Sequence, residues 1–317
     1  MVNLEQLLKD SARIKSLEIQ GATNVAISAI NFICEYASRI SKNLSIDEIF
    51  DDLYKARDIL FKTRDTEPAM RNGLNFIMNK LEKQKKDITK NKIFEIITQC
   101  RDEYKKMVKN SKQKIAEIGA RRFPDSGSKK QFVVMTHCHS SVVNGIFLEA
   151  KKQGKNNFKV IATETQPILQ GRKTVNKLLN NKIEVVYIVD SAMRWAVNNL
   201  DVDLIIIGAD SITSEGTIIN KIGSRLLALV AHEEHVPFYV ASPLLKYNPQ
   251  TSFGILEKIE MRDPKEIWNE APENLTILNP AFETVSRRYI DGLISEAGIF
   301  APSHVQNYFT KLYPDLI

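Results

Sequence analysis

Five short apolar runs, at 131–135, 159–162, 184–189, 203–207 and 237–241, restrict what this chain can fold into more than any other feature. Each is four to six residues long and rich in Val and Ile, the composition of strands buried on both faces of a sheet. The segments between them are long enough for crossover helices, which predicts βαβ units and a mostly parallel, doubly wound sheet. The first 120 residues read differently. Leu4, Leu7 and Leu8 recur at helical spacing, as do Val25, Ile27, Ile30 and Ile33, then Ile49, Leu53, Ile59 and Leu60. Ser45 before Ile46-Asp47-Glu48 has the pattern of a helix cap. The change of texture comes at the turn cluster 123–128 (FPDSGS). The expected organisation is a helical domain over 1–122, a linker over 123–130 and an α/β domain over 131–317.

Composition narrows the function classes. The chain has 317 residues, 43% of them hydrophobic, so it can build a core without metal or disulfides. Its N-terminus reads as an amphipathic helix, with no apolar stretch of signal-peptide type. No run approaches the roughly eighteen apolar residues of a membrane span. Cys34, Cys100 and Cys138 are odd in number and lack CxxC spacing, so no disulfide framework is expected and a reducing cytoplasm is. The net charge of +6 is concentrated in the runs 80–92 and 101–114. Neither interleaves aromatics as a single-strand nucleic-acid binder does, and both read as solvated helix faces. Phosphorylated small molecules also suit the charge.

In open α/β sheets, ligands bind at the carboxyl ends of the strands. The five runs here end in THCHS, TETQP, VDSA, GADS and ASP, all small, polar or ionisable, and all expected on one rim. His137, Cys138 and His139 invite a metal reading. On an extended backbone, however, side chains alternate, so the three cannot converge on one ion. The HEEH at 232–235, on a predicted helix, lacks the HExxH spacing of a zinc protease. No metal is expected. Cys138 is either a reactive thiol supported by the following turn or a buried structural cysteine. Asp210, after an apolar strand, is either a partly desolvated acid/base or a helix N-cap. Asn220, Lys221 and Gly223 offer a donor, a cation and a close backbone approach, and Lys246 a second cation. A thiol, a carboxylate and two lysines on one rim suit a phosphorylated sugar.

The series THCHS, TETQP with LQGRKT, VDSA, GADSIT with IINKIG, EMRDP, and NPAFE with SRRYIDGLISEAGIFAPS resembles one superfamily. It contains the archaeal ribose-1,5-bisphosphate isomerases, the methylthioribose-1-phosphate isomerases and the alpha, beta and delta subunits of translation initiation factor two-B. The resemblance implies a helical N-terminal domain, a Rossmann-like α/β domain and homodimers or homohexamers. It implies Cys138 and Asp210 as the catalytic pair of an aldose–ketose isomerase without a cofactor. It also implies Gly21, Ala22, Arg64, Gln170, Asn220, Lys221 and Lys246 as substrate-binding residues. Where the isomerases carry arginines, this chain has Gln20, Ile27 and Gln166, and Asp65 stands where a proline is expected. Of these departures, Gln20 in IQG and Gln166 in QP resemble the regulatory alpha subunit. The alternative reading is therefore a non-catalytic subunit that binds a nucleotide or sugar phosphate and initiation factor two. The intact Cys138–Asp210 pair favours the enzyme. Neither reading implies a membrane or direct nucleic-acid partner.

Overall fold

A computed structural model describes residues 4–41, 43–64, 66–125 and 127–316; Asp65 and Ser126, singled out in the sequence, lie outside them. Packing divides the chain into two compact units, Met1–Lys109 with Phe309–Ile317, and Asn110–Tyr308.

The first unit is helical. It holds α1 (Glu5–Lys15), α2 (Ala22–Ser38), α3 (Ile46–Phe61), α4 (Pro68–Glu82) and the greater part of α5 (Lys90–Ala120), whose remainder lies in the second unit. The apolar positions that set the helical period form its core: Val25, Ile30, Ile33, Leu53 and Leu60 are fully buried, while Leu8 remains exposed. α3 starts in the predicted capping box. Glu48 N–H donates to Ser45 Oγ at 3.2 Å, and Ser45 N–H donates to Glu48 Oε2 at 2.7 Å. Tyr104 on α5 ties into the bundle by donating its hydroxyl to the Ala69 carbonyl at 2.6 Å. Lys83, Lys86, Lys90 and Lys92 are exposed, as a solvated face requires.

The second unit contains a seven-stranded sheet built from β1 (Phe132–Thr136), β2 (Phe158–Thr163), β3 (Glu184–Ile188), β4 (Leu204–Ile207), β7 (Phe238–Ala241), β9 (Gly292–Ser295) and β10 (Gly298–Phe300). Its order is β10-β9-β7-β4-β1-β2-β3, parallel except for β10. The Rossmann-like, mostly parallel expectation is met. β1 lies in register with both neighbours, Val134 opposite Val160 on one side and Leu204 on the other. On one face, Ile115 of α5 and Val143, Ile146 and Phe147 of α6 (Ser141–Lys152) pack with Val134, Val160 and Ile206. One expectation needs correction. β3 is not buried on both faces: it is an edge strand paired only with β2, and Glu184 and Tyr187 are exposed. A second, three-stranded antiparallel sheet joins β5 (Ser211–Ile212), β6 (Ile218–Lys221) and β8 (Phe282–Val285). Nothing in the period of the sequence announces it. Among the described residues no helix is long and apolar enough to cross a membrane.

Strand order places the site. From β1 the sheet grows one way through β2 and β3, and the other way through β4, β7 and β9. The direction of growth reverses between β1 and β4, and at such a switch point the strand-end loops part and leave a crevice. Cys138 follows β1 and Asp210 follows β4.

Candidate active site

The chain leaves β1 through a left-handed bend. Cys138 has φ +68° and Thr165, after β2, has φ +62°. Each costs about 1–2 kcal/mol in a residue other than glycine. The two are tied together, since Cys138 N–H donates to Thr165 Oγ1 at 3.0 Å. Thr165 and Gln166 in turn donate their backbone N–H groups to the Asp190 carboxylate at 2.8 and 2.7 Å. The ends of β1, β2 and β3 thus form one hydrogen-bonded rim. The bend also corrects the alternation argument, because the backbone is not extended through 137–139. His137 and His139 are separated instead by different partners.

His137 is fully buried, and both ring nitrogens are engaged. Nε2 lies 2.8 Å from the Ile222 carbonyl, which can only accept, so Nε2 carries the hydrogen and Nδ1 accepts from the Thr163 hydroxyl at 2.6 Å. Burial holds its pKa below the usual histidine range. The ring is therefore a neutral brace joining β1, β2 and the segment after β6. Gly223 makes room for it: at φ +100°, a Cβ there would lie 2.9 Å from the imidazole. The close approach permitted by this glycine is to His137. His139 pairs through Nδ1 with Thr174 Oγ1 at 3.0 Å, and Thr174 donates to the Cys138 carbonyl at 3.1 Å. The HEEH segment does not lie on one helix, since α9 (Ser224–Glu233) ends before His235, which has φ +55°. Among the described residues no group of three or more His, Cys, Asp or Glu side chains is gathered as a metal ion requires.

Cys138 is half-buried, and its thiol donates to Gln170 Oε1 at 3.4 Å. Gln170 is held there by α7 (Gly171–Asn180), whose first residue passes so close to β2 that a Cβ on Gly171 would collide with the Thr163 carbonyl. Burial pushes the Cys138 thiol up to about 11. The Lys221 ammonium pulls it back and Asp210 raises it further, followed by smaller contributions from the His139 N–H and from Asp190. The thiol of the free protein is protonated at neutral pH, and the charges of Lys221 and Asp210 reach it from across the switch point.

Asp210 is not a helix cap. It precedes β5, its N–H donates to the Ile219 carbonyl at 2.8 Å, and its carboxylate makes no hydrogen bond among the described residues. Asn220 and Lys221 lie on a strand, β6, and not in a phosphate loop. Asn220 spends its amide N–H on Ser224 Oγ at 2.8 Å. Lys221 is buried with its ammonium 4.8 Å from the Phe282 ring centre. The amides at the start of α9 are already taken: Glu283 accepts from Gly223 N–H at 2.6 Å and Arg225 N–H at 3.0 Å. An anion beside α9 would therefore meet side-chain cations such as Lys221 and not the Gly223 and Arg225 N–H groups. Lys246, on the turn Leu244–Lys246 after β7, donates to the Ala209 carbonyl beside Asp210.

Gly21, Ala22 and Arg64 belong to the helical unit. Gly21 caps α2 at φ +83°, Ala22 is its buried first residue, and Arg64 is buried 3.6 Å from Glu67. Gln166 is exposed, and its amide donates to Glu164 Oε1 at 3.2 Å. Sequence reasoning missed Thr163, Thr165, Asp190 and Glu283. All four lie inside the quoted motifs TETQP, VDSA and NPAFE, which mark the segments without showing the part each residue plays.

Comparisons with known proteins place the chain and its fold among relatives. The model of the initiation factor 2 subunit family matches residues 18–302. A ribose 1,5-bisphosphate isomerase of Archaeoglobus fulgidus is 38% identical, over 94% of this chain and 91% of its own. Among solved structures, the translation initiation factor eIF-2B of Pyrococcus horikoshii superposes with a TM-score of 0.78 at 28% identity, covering 94% of this chain and 98% of its own. The 5-methylthioribose 1-phosphate isomerase of the same organism gives 0.76 at 25% identity, covering 97% and 87%. The match spans nearly the whole chain, and this protein belongs to the initiation factor 2 subunit family.

Proposed function

We propose that this chain is an aldose–ketose isomerase that converts ribose 1,5-bisphosphate to ribulose 1,5-bisphosphate in the cytoplasm. The observation that carries the reading is the Cys138–Asp210 pair, a protonated thiol and a carboxylate without hydrogen bonds among the described residues, flanking the sheet's switch point within electrostatic reach of the Lys221 ammonium. The 38% identical Archaeoglobus isomerase supports the substrate.

The pair holds one exchangeable proton, resting on sulfur because burial opposes the thiolate. Phosphate on the anomeric oxygen keeps the sugar ring closed, so the pair's proton goes to the ring oxygen as its bond to C1 breaks. The deprotonated pair then takes the proton from C2, leaving a double bond between C1 and C2. The pair exchanges that proton with solvent and then delivers one to C1, while the 2-hydroxyl proton passes to the other member of the pair. The pair ends with one proton, and the sugar has gained a C2 carbonyl and a C1 methylene. Lys221 offsets the second negative charge that the pair carries while its proton is on the sugar. Gly21, Ala22, Arg64, Gln170, Asn220 and Lys246 serve in substrate binding on this reading.

Incubation with ribose 1,5-bisphosphate in deuterium oxide tests it, with nuclear magnetic resonance following the product. Ribulose 1,5-bisphosphate with deuterium at C1 is expected. Product without deuterium would replace proton transfer with a direct hydride shift. Absence of turnover, together with co-purification of initiation factor two, would favour the regulatory-subunit reading instead. Self-association is supported by Phe253, Leu256, Trp268 and Leu278, large apolar side chains left exposed in the α/β unit.

A further inference from the structure

Lys112 stands in a basic run that reads as a solvated face, yet it is half-buried, whereas Lys106, Lys109 and Lys114 on the same helix are exposed. The turn that carries it is pinned in place. Its neighbour Ser111 is buried and donates to Glu296 Oε1 at 3.0 Å. Glu296, also buried, accepts Leu244 N–H at 3.1 Å on each carboxylate oxygen. This bracket fastens α5 to the turn Leu244–Lys246, and Lys246 reaches on to the Ala209 carbonyl, one residue before Asp210. The turn of α5 that carries Lys112 is thereby tied to the turn that carries Lys246.

Burial and the neighbouring Lys246 charge both disfavour the Lys112 ammonium, and no carboxylate or hydrogen-bond acceptor meets it among the described residues. A partly desolvated cation facing a like charge is an unfavourable arrangement unless an anion joins it. A phosphate group, with two charges and three acceptor oxygens, relieves both the repulsion and the desolvation.

We propose that Lys112 and Lys246 together form a phosphate subsite next to Asp210, with Lys112 a substrate-binding residue that its sequence context conceals. The subsite deepens the isomerase reading and rests on it for the identity of the phosphate donor. Lys112→Met keeps the length and apolar stem of the side chain while removing the charge. With ribose 1,5-bisphosphate, it should raise KM at least tenfold and change kcat less than threefold, and Lys112→Arg should restore most of the affinity. Lys114→Met, on the exposed face, should change neither constant. Calorimetric titration with inorganic phosphate supplies the second readout, and binding to Lys112→Met should be at least fivefold weaker than to wild type. If wild type turns over the sugar while Lys112→Met keeps KM within twofold and binds phosphate normally, the subsite is overturned. If wild type shows no turnover yet its phosphate binding depends on Lys112, the isomerase reading falls and the subsite stands. Should Lys112→Met fail to fold, Lys112→Gln gives the same two readouts.

Discussion

The two ends of the seven-stranded sheet are built from similar residue types on opposite principles. At the ends where the strands begin, charges are spent on the backbone. Asp203 accepts Val133 N–H at 2.9 Å and pairs with Lys130, Asp291 accepts Phe238 N–H at 2.7 Å, and the Gln131 amide donates to Glu184 at 2.8 Å. At the ends where the strands finish, the Asp210 carboxylate makes no hydrogen bond among the described residues and the Lys221 ammonium rests on the Phe282 ring, while Lys112 on α5 likewise has no acceptor among them. Two residues there sit in left-handed backbone, and a buried histidine keeps their positions fixed. One end secures the sheet; the other keeps its charges available for a ligand.

Substitutions that touch each end separately put this contrast at risk. The largest effect should come from Cys138→Ser or Asp210→Asn, each lowering kcat at least ~100-fold. The melting temperature should move by no more than about 3 °C, because neither side chain holds the sheet together. A collapse of stability in either variant would erase the distinction between the ends. Next is His137→Ala, which strands the Thr163 hydroxyl and the Ile222 carbonyl and opens a cavity. Urea denaturation should register a loss of about 2–3 kcal/mol, with turnover falling as Cys138 loses its support.

Asp203→Ala, at the opposite end, should cost about 1 kcal/mol by the same measurement. Its kcat/KM should stay within about twofold of wild type. A large kinetic effect there would mean that the two ends are not independent. The smallest effect concerns pH. The Cys138 thiol is raised from 9.0 to about 11, so the stability it contributes is fully present below the unfolded value and lost as pH rises through the folded one. Alkylation of Cys138 by iodoacetamide, mapped by mass spectrometry, should keep accelerating towards pH 11. A plateau near pH 8 would show instead that Lys221 outweighs burial.

Much of this was legible in the residues. Runs such as Leu204–Ile207 can be satisfied only inside a parallel sheet, and the polar residues after them marked its rim. Ser45 and Glu48 announced their helix start because a capping box is a local contact. What was misread involves partners distant in sequence. The Tyr187 run looked like a core strand because its composition does not reveal that it lies at an edge. Asn220 and Lys221 were not read as a strand because β6 owes its strand character to β8, more than sixty residues away.

By itself the sequence determined the element types, the parallel sheet and the identity of the chemical groups at the strand ends, since periodicity and composition act over a few residues. Only the tertiary structure decided which of those groups keep a charge to offer. It set β1 beside β4, so that Cys138 and Asp210 follow neighbouring strands, and it set Glu283 over the start of α9. It also left Lys112 half-buried on a helix whose neighbouring lysines are exposed. Burial and pairing depend on neighbours supplied by remote parts of the chain, and electrostatics follows from burial and pairing.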